Sequence, residues 1–234
     1  SLPADADFFI SGQNLFSQLK KIDALLPSKA PLPKLTAMAK RFLEENLPGI
    51  DLEKDVAPLM GREFGITVRG DRVLFVTEVP AEPTASEKIQ SLKNAFQKRS
   101  GHLAPKSQEV ILPDGTKAQE LVPDPSKVKL FEETVGGVAI HGFLLGKNGA
   151  VYDATVAGKW FISNDFETIK KAVQLAKEPS KSLRESPLYK ESLQPILQNP
   201  EFIGIAVLPQ GTFSFSKRTL PDRMEVNFLW RQIR

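Results

Sequence analysis

The chain is punctuated for hairpins. Short β-rich runs recur through it, separated by residues that reverse a backbone rather than continue it. Phe64–Val68 and Val73–Val79 flank Arg69-Gly70-Asp71-Arg72, and Ser107–Leu112 and Lys117–Val122 flank Pro113-Asp114-Gly115-Thr116. Gly136-Gly137 and Gly146-Lys147-Asn148-Gly149 divide Val128–Val135, Val138–Leu145 and Ala150–Val156. Glycine supplies the positive φ that tight hairpin turns require. Lys159–Ser163 adds a strand, and Phe202–Leu208, Thr212–Ser216 and Met224–Trp230 close the chain. Strands joined by turns this short pair antiparallel, because a parallel pair needs a crossover of about a dozen residues.

Helices are interspersed. Leu15, Leu19, Ile22 and Leu26 follow helical spacing, as do Leu35, Met38 and Phe42, with the Pro27–Pro33 connector between them. Asp51 is placed to cap a short helix. Thr84-Ala85-Ser86-Glu87 matches a capping box ahead of Ile89, Leu92 and Phe96, with Gly101 as the residue past the helix end. Asn164 with Glu167 predicts a cap for the stripe Phe166, Ile169, Val173 and Ala176, and Ser186-Pro187 opens a further helix. The expected class is α+β: a mostly antiparallel sheet built from hairpins, with amphipathic helices packed on one face. Thr67-Val68-Arg69-Gly70 and Thr155-Val156-Ala157-Gly158 each lead through a strand into a helix. This echo divides a single domain, 1–234, into candidate lobes 1–104 and 105–234.

Composition removes several function classes. The chain has 234 residues, 41% hydrophobic and 25% charged, with a net charge of +3. That is a globular balance, too weakly basic for a nucleic-acid partner. There is no cysteine, hence no thiol nucleophile, thiolate zinc site or iron–sulfur cluster. The longest uncharged stretch, Phe202 to Ser216, is broken by Pro209-Gln210-Gly211 and falls short of a membrane-spanning helix. Phe 15 against Trp 2 and Tyr 2 points to rings that fill a core rather than a wet sugar-binding face.

Few residues are left over for chemistry. His102 follows Gly101 near a helix end, and His141 lies in a strand with apolar residues on both faces. Neither has the paired spacing of a metal site or a catalytic constellation, and no metal or cofactor is expected. Ser17-Gln18-Leu19-Lys20 and Ser126-Lys127-Val128-Lys129 match S-x-x-K, but the companion S-D-N and K-T-G motifs are absent, which rejects a serine hydrolase of that kind. Glu132 and Glu133 are neighbours on a strand and point to opposite faces. Asp153 is the best single acid, read as a solvent-facing strand position. Arg69-Gly70-Asp71 reads as a hairpin tip rather than an adhesion signal. Lys170, Lys171 and Lys177, with Lys181 nearby, lie off the apolar stripe of their helix and form a candidate contact with an anionic membrane surface.

Four segments carry a resemblance. Leu2-Pro3-Ala4-Asp5 precedes the first strand, and Pro58-Leu59-Met60-Gly61-Arg62-Glu63-Phe64 precedes a hairpin. Trp160-Phe161-Ile162-Ser163-Asn164 enters one helix, and Ser182-Leu183-Arg184-Glu185-Ser186-Pro187-Leu188-Tyr189 the next. In this order they resemble, over nearly the whole chain, a bacterial family known as domain of unknown function number thirty-three fifty-two. The resemblance implies an extracytoplasmic protein, in the periplasm or cell envelope, with an N-terminal signal or anchor removed from this chain. It supplies no catalytic residue. The function expected is that of a non-enzymatic envelope domain, structural or protein-interacting, partnered by another envelope protein or a membrane surface. One alternative is a binding protein for an apolar small molecule or lipid, which requires an apolar cavity of several hundred Å³. Another is a hydrolase of unrecognised type, which requires His141 or Asp153 in a cleft beside convergent polar groups.

Overall fold

A computed structural model describes residues 6–25, 34–47, 49–80, 83–103, 105–124, 126, 129–144, 149–178, 187–196, 200–220 and 222–232. The start Leu2–Asp5, the Pro27–Pro33 connector, the turn at 146–148, Lys181 and the cap expected at Ser186 lie outside them.

Strand β1 (Phe8–Gln13) leads into α1 (Leu15–Leu25) and α2 (Leu35–Asn46), a π-helical turn (Leu52–Val56) and a 3-10 turn (Ala57–Met60). The hairpin β2 (Glu63–Arg69) and β3 (Arg72–Glu78) precedes α3 (Pro83–Leu103). A second hairpin, β4 (Pro105–Ile111) and β5 (Lys117–Pro123), forms a small sheet of its own. The meander β6 (Lys129–Val135), β7 (Val138–Leu144), β8 (Ala150–Val156) and β9 (Lys159–Ser163) is followed by α4 (Phe166–Lys177), α5 (Pro187–Ser192) and a 3-10 turn (Gln194–Ile196). Strands β10 (Phe202–Leu208), β11 (Gly211–Thr219) and β12 (Met224–Gln232) end the fold.

The large sheet has ten strands in the order β12-β11-β10-β1-β2-β3-β9-β8-β7-β6. Every pair is antiparallel. Strand β1 lies between β10 and β2, and β3 meets β9 with Val76 opposite Phe161. One continuous sheet therefore takes strands from both 1–104 and 105–234.

The α+β class and the hairpin-built antiparallel sheet are as expected, but the helices cover both faces, not one. Successive strand residues point to opposite sides. Phe161 is buried with Leu74, Val76, Ile140, Ala154 and the α4 residues Ile169, Ala172 and Val173. Its neighbour Trp160 is buried with Leu59 of the 3-10 turn and Ala85 and Ile89 of α3. A strand reading Trp160-Phe161-Ile162 is apolar on consecutive positions, so both sides need cover. This also bears on the internal echo. A dyad relating two antiparallel neighbours, β3 and β9, stands normal to the sheet and would put α3 and α4 on the same side. They are on opposite sides, so no such dyad relates the two units.

Local details refine the helix boundaries. Asp51 accepts from the backbone N–H groups of Glu53 and Lys54, as a cap should, although the turn it opens is π-helical. The cap of α4 is Asp165, which accepts from Thr168 N at 2.8 Å, rather than Asn164. Asn164 instead ties the β2–β3 turn, accepting from Val73 N and donating to the Asp71 carbonyl. Helix α3 continues past Gly101 to Leu103, so Gly101 and His102 lie within its last turn rather than beyond it.

Candidate functional site

Helix α3, α2 and the two short turns do not close completely over the sheet. Between them lies a cleft of about 370 Å³. Its floor is Phe75, Val151, Trp160 and Ile162, with Phe143 from β7. Leu92 and Phe96 of α3 and Leu43 and Leu47 of α2 face them, and Val56 and Met60 of the short turns close one side. The Phe96 ring packs on Phe143 with centroids 5.6 Å apart. The lining is mostly apolar, and no hydroxyl-bearing residue is among the described lining residues. Burial of an apolar guest there would be driven by the area removed from water, at about 25 cal/mol per Å².

Two charged residues stand in this wall, Asp153 of β8 and Lys93 of α3. Asp153 is 4% exposed, which overturns the expectation of a solvent-facing strand position. The antiparallel register decides this: Asp153 lies opposite Ile162 on one side and His141 on the other, on the face that α3 covers. Its Oδ2 accepts from Lys93 Nζ at 2.7 Å and from Trp160 Nε1 at 3.1 Å. Its Oδ1 is buried without a hydrogen bond; His141 Nδ1 is 3.8 Å away. His141 Nδ1 also lies 3.4 Å from Lys93 Nζ, and because an ammonium can only donate, any hydrogen bond there leaves Nδ1 as the acceptor. On the next strand Glu132 stands opposite His141, with Oε2 4.0 Å from Nε2. Glu133 faces Ile140 instead, pointing away from this row.

The structure thus brings the two sequence candidates, His141 and Asp153, together beside a third group that the sequence reading missed. Lys93 carried a signal: four residues after Ile89 and three before Phe96, it falls on the buried stripe of α3, where a lysine needs a partner. What converges is an ion pair with an indole and an imidazole around it.

The remaining candidates are placed elsewhere. Lys170 Nζ sits over the Phe166 ring at 5.8 Å, Lys177 Nζ donates to the Gly136 carbonyl, and Lys171 is exposed beside a small polar cleft with Arg69, Arg72 and Glu167. Gly70, at φ +57°, forms the tip of the β2–β3 turn and donates its N–H to Asp7 Oδ2. No group of three or more histidine, aspartate or glutamate residues suited to a metal ion occurs among the described residues. No helix among them is long and apolar enough to cross a membrane. At the sheet edge, β12 turns Val226, Phe228 and Trp230 outward, with Phe228 64% exposed and Trp230 50%.

Residues 1–110 match the family described as Protein of unknown function (DUF3352). The matched stretch runs from before β1 into β4 and includes Pro58–Phe64; the other resemblance segments, at Trp160 and Ser182, lie beyond it. It holds the α2, α3 and β3 walls of the cleft, whereas Asp153, Trp160 and His141 come from the part outside it. No curated protein and no solved structure matches the chain.

Proposed function

We propose that this domain binds an apolar small molecule or lipid tail in the cleft between α3, α2 and the sheet, and that it acts as a carrier or sensor of that molecule without performing chemistry on it. The observation that carries this reading is the size and lining of the cleft. Pockets for small ligands run from about 300 to 1,000 Å³ and are mostly apolar. The site of action we propose is the bacterial envelope, the compartment implied by the family resemblance; cell fractionation tests that part separately.

Trp160 lines the cleft and is one of two tryptophans in the chain. In a Trp230→Phe variant it becomes the sole indole reporter. Titration with 11-bromoundecan-1-ol, whose bromine quenches a tryptophan in contact with it, should extinguish most of the Trp160 emission with saturation at one equivalent. Linear, unsaturated quenching equal to that of free tryptophan would refute the reading.

A protein-interaction role rests on a separate observation, the outward apolar side of the edge strand β12. Unpaired edge strands bearing apolar residues are templates for pairing with another strand. The partner proposed is β12 of a second copy, since an antiparallel register centred on Phe228 sets the exposed Val226 opposite the exposed Trp230 of the other chain. Sedimentation should show a dimer that Phe228→Lys dissociates; a monomer at all concentrations would rule it out.

A further inference from the structure

We infer that the cleft takes uncharged single-chain lipids, such as long-chain alcohols, esters or hydrocarbons, and discriminates against ionised fatty acids, with the Lys93–Asp153 pair as the device that sets this preference. The inference rests on the proposal that the cleft is a ligand site, and it deepens that proposal by assigning the ligand class.

Lys93 is the cation and Asp153 the anion among the described lining residues, and they face one another at 2.7 Å. Each cancels the other, so the wall offers an entering head group no net charge. A carboxylate could gain Lys93 only by displacing Asp153, whose side chain is 6% exposed and would be left as a buried, uncompensated anion. It would also approach Asp153 Oδ1, an acceptor that already lacks a donor. Two acceptors facing each other in a low-dielectric wall repel. The lysine, held by Asp153 Oδ2 and directed towards His141 Nδ1, has no uncommitted role in anion capture. A neutral chain meets none of these penalties: it displaces nothing and buries carbon against Phe75, Phe96 and Phe143.

The test uses the Trp230→Phe protein at pH 8, where a carboxylic acid of ordinary pKa is fully ionised. Binding of 11-bromoundecan-1-ol and 11-bromoundecanoate is followed by quenching of Trp160. The two probes share chain length and bromine position and differ only in the head. The alcohol should bind at least about tenfold tighter. Asp153→Asn frees Lys93 and should reduce or reverse that ratio through tighter carboxylate binding. If that variant fails to fold, Lys93→Met/Asp153→Leu removes the pair and with it the penalty of displacing Asp153, so the alcohol preference should narrow; an unchanged ratio would overturn the role of the pair. Equal or tighter binding of the carboxylate to the parent protein overturns the inference while leaving the cleft a ligand site. Failure of both probes to quench Trp160 overturns the ligand site and this inference with it.

Discussion

Replacing Asp153 with alanine removes the partner of two buried groups at once. Breaking a buried ion pair by deleting one member costs about 3–5 kcal/mol, because the other charge is left uncompensated. Lys93 has 16% of its side chain in solvent and keeps His141 Nδ1 at 3.4 Å, so the lower end of that range applies. Trp160, 5% exposed, loses the acceptor of its Nε1–H, which adds about 1 kcal/mol. The substitution also removes the unpartnered Oδ1, which offsets roughly the same amount. The net expectation is about 3 kcal/mol of destabilisation. Urea unfolding followed by circular dichroism at pH 7 measures it, with an unchanged m-value showing that the unfolded reference is the same. In Lys93→Met/Asp153→Leu both charges leave together, and the loss should be about 2 kcal/mol smaller than the sum of the single changes. A cost below about 1 kcal/mol for Asp153→Ala, or a coupling below about 0.5 kcal/mol, would refute the view that this pair is a tightly packed structural unit of the cleft wall.

Two further outcomes follow from local geometry. Gly142 lies on the face of β7 opposite the cleft, where a methyl group would sit 2.7 Å from Tyr152 Cδ1 and 2.9 Å from Cε1. That ring is also held by Phe131 and Phe166, so it has little room to retreat. Gly142→Ala should lower stability by about 1–3 kcal/mol in the same unfolding assay, and a neutral effect would mean that the ring is free to move. Asp51 gives a pH dependence. Its carboxyl is held below its ordinary value of 3.8, first by the Lys54 N–H, with burial opposing and the Glu53 N–H assisting. A depressed carboxyl contributes stability that is present above the ordinary value and is lost as pH falls through the lowered one. The melting-temperature gap between the parent protein and Asp51→Ala should therefore be constant above pH 5 and shrink below pH 3.8. A gap undiminished at pH 2 would contradict this.

What could be read from the residues in order was the chemistry that acts over a few positions. The turn at Arg69-Gly70-Asp71-Arg72 needs only the conformational freedom of Gly70, and the Asp51 cap needs only the amide groups of Glu53 and Lys54. Strand positions and the antiparallel sense followed in the same way from short connections. The exchange of roles between Asn164 and Asp165 shows the limit of local logic. Both are good capping residues, and the choice went to Asp165 because Asn164 was claimed by the β2–β3 turn, 91 and 93 residues away. The family match likewise lay within reach of residues 1–110, where two of the resemblance segments stand.

The site was beyond that reach. Asp153 and His141 were visible as candidates, but their burial and proximity depend on a strand register that only the assembled sheet establishes. Whether Asp153 points to α3 or to α4 reverses if the register slips by one residue, since a strand shows alternate side chains to alternate faces. Lys93 meets this pair from a helix 48 residues before His141, once the chain has placed α3 on the face opposite α4. The cleft has no sequence signature at all: it is the volume left where α2, α3 and two short turns fail to meet a floor of phenylalanine, valine and tryptophan side chains. Residue order therefore determined the elements and their joints, because those energies are local. The tertiary fold decided which groups share a wall and how much space stands between them, because packing sums over contacts that no short segment contains.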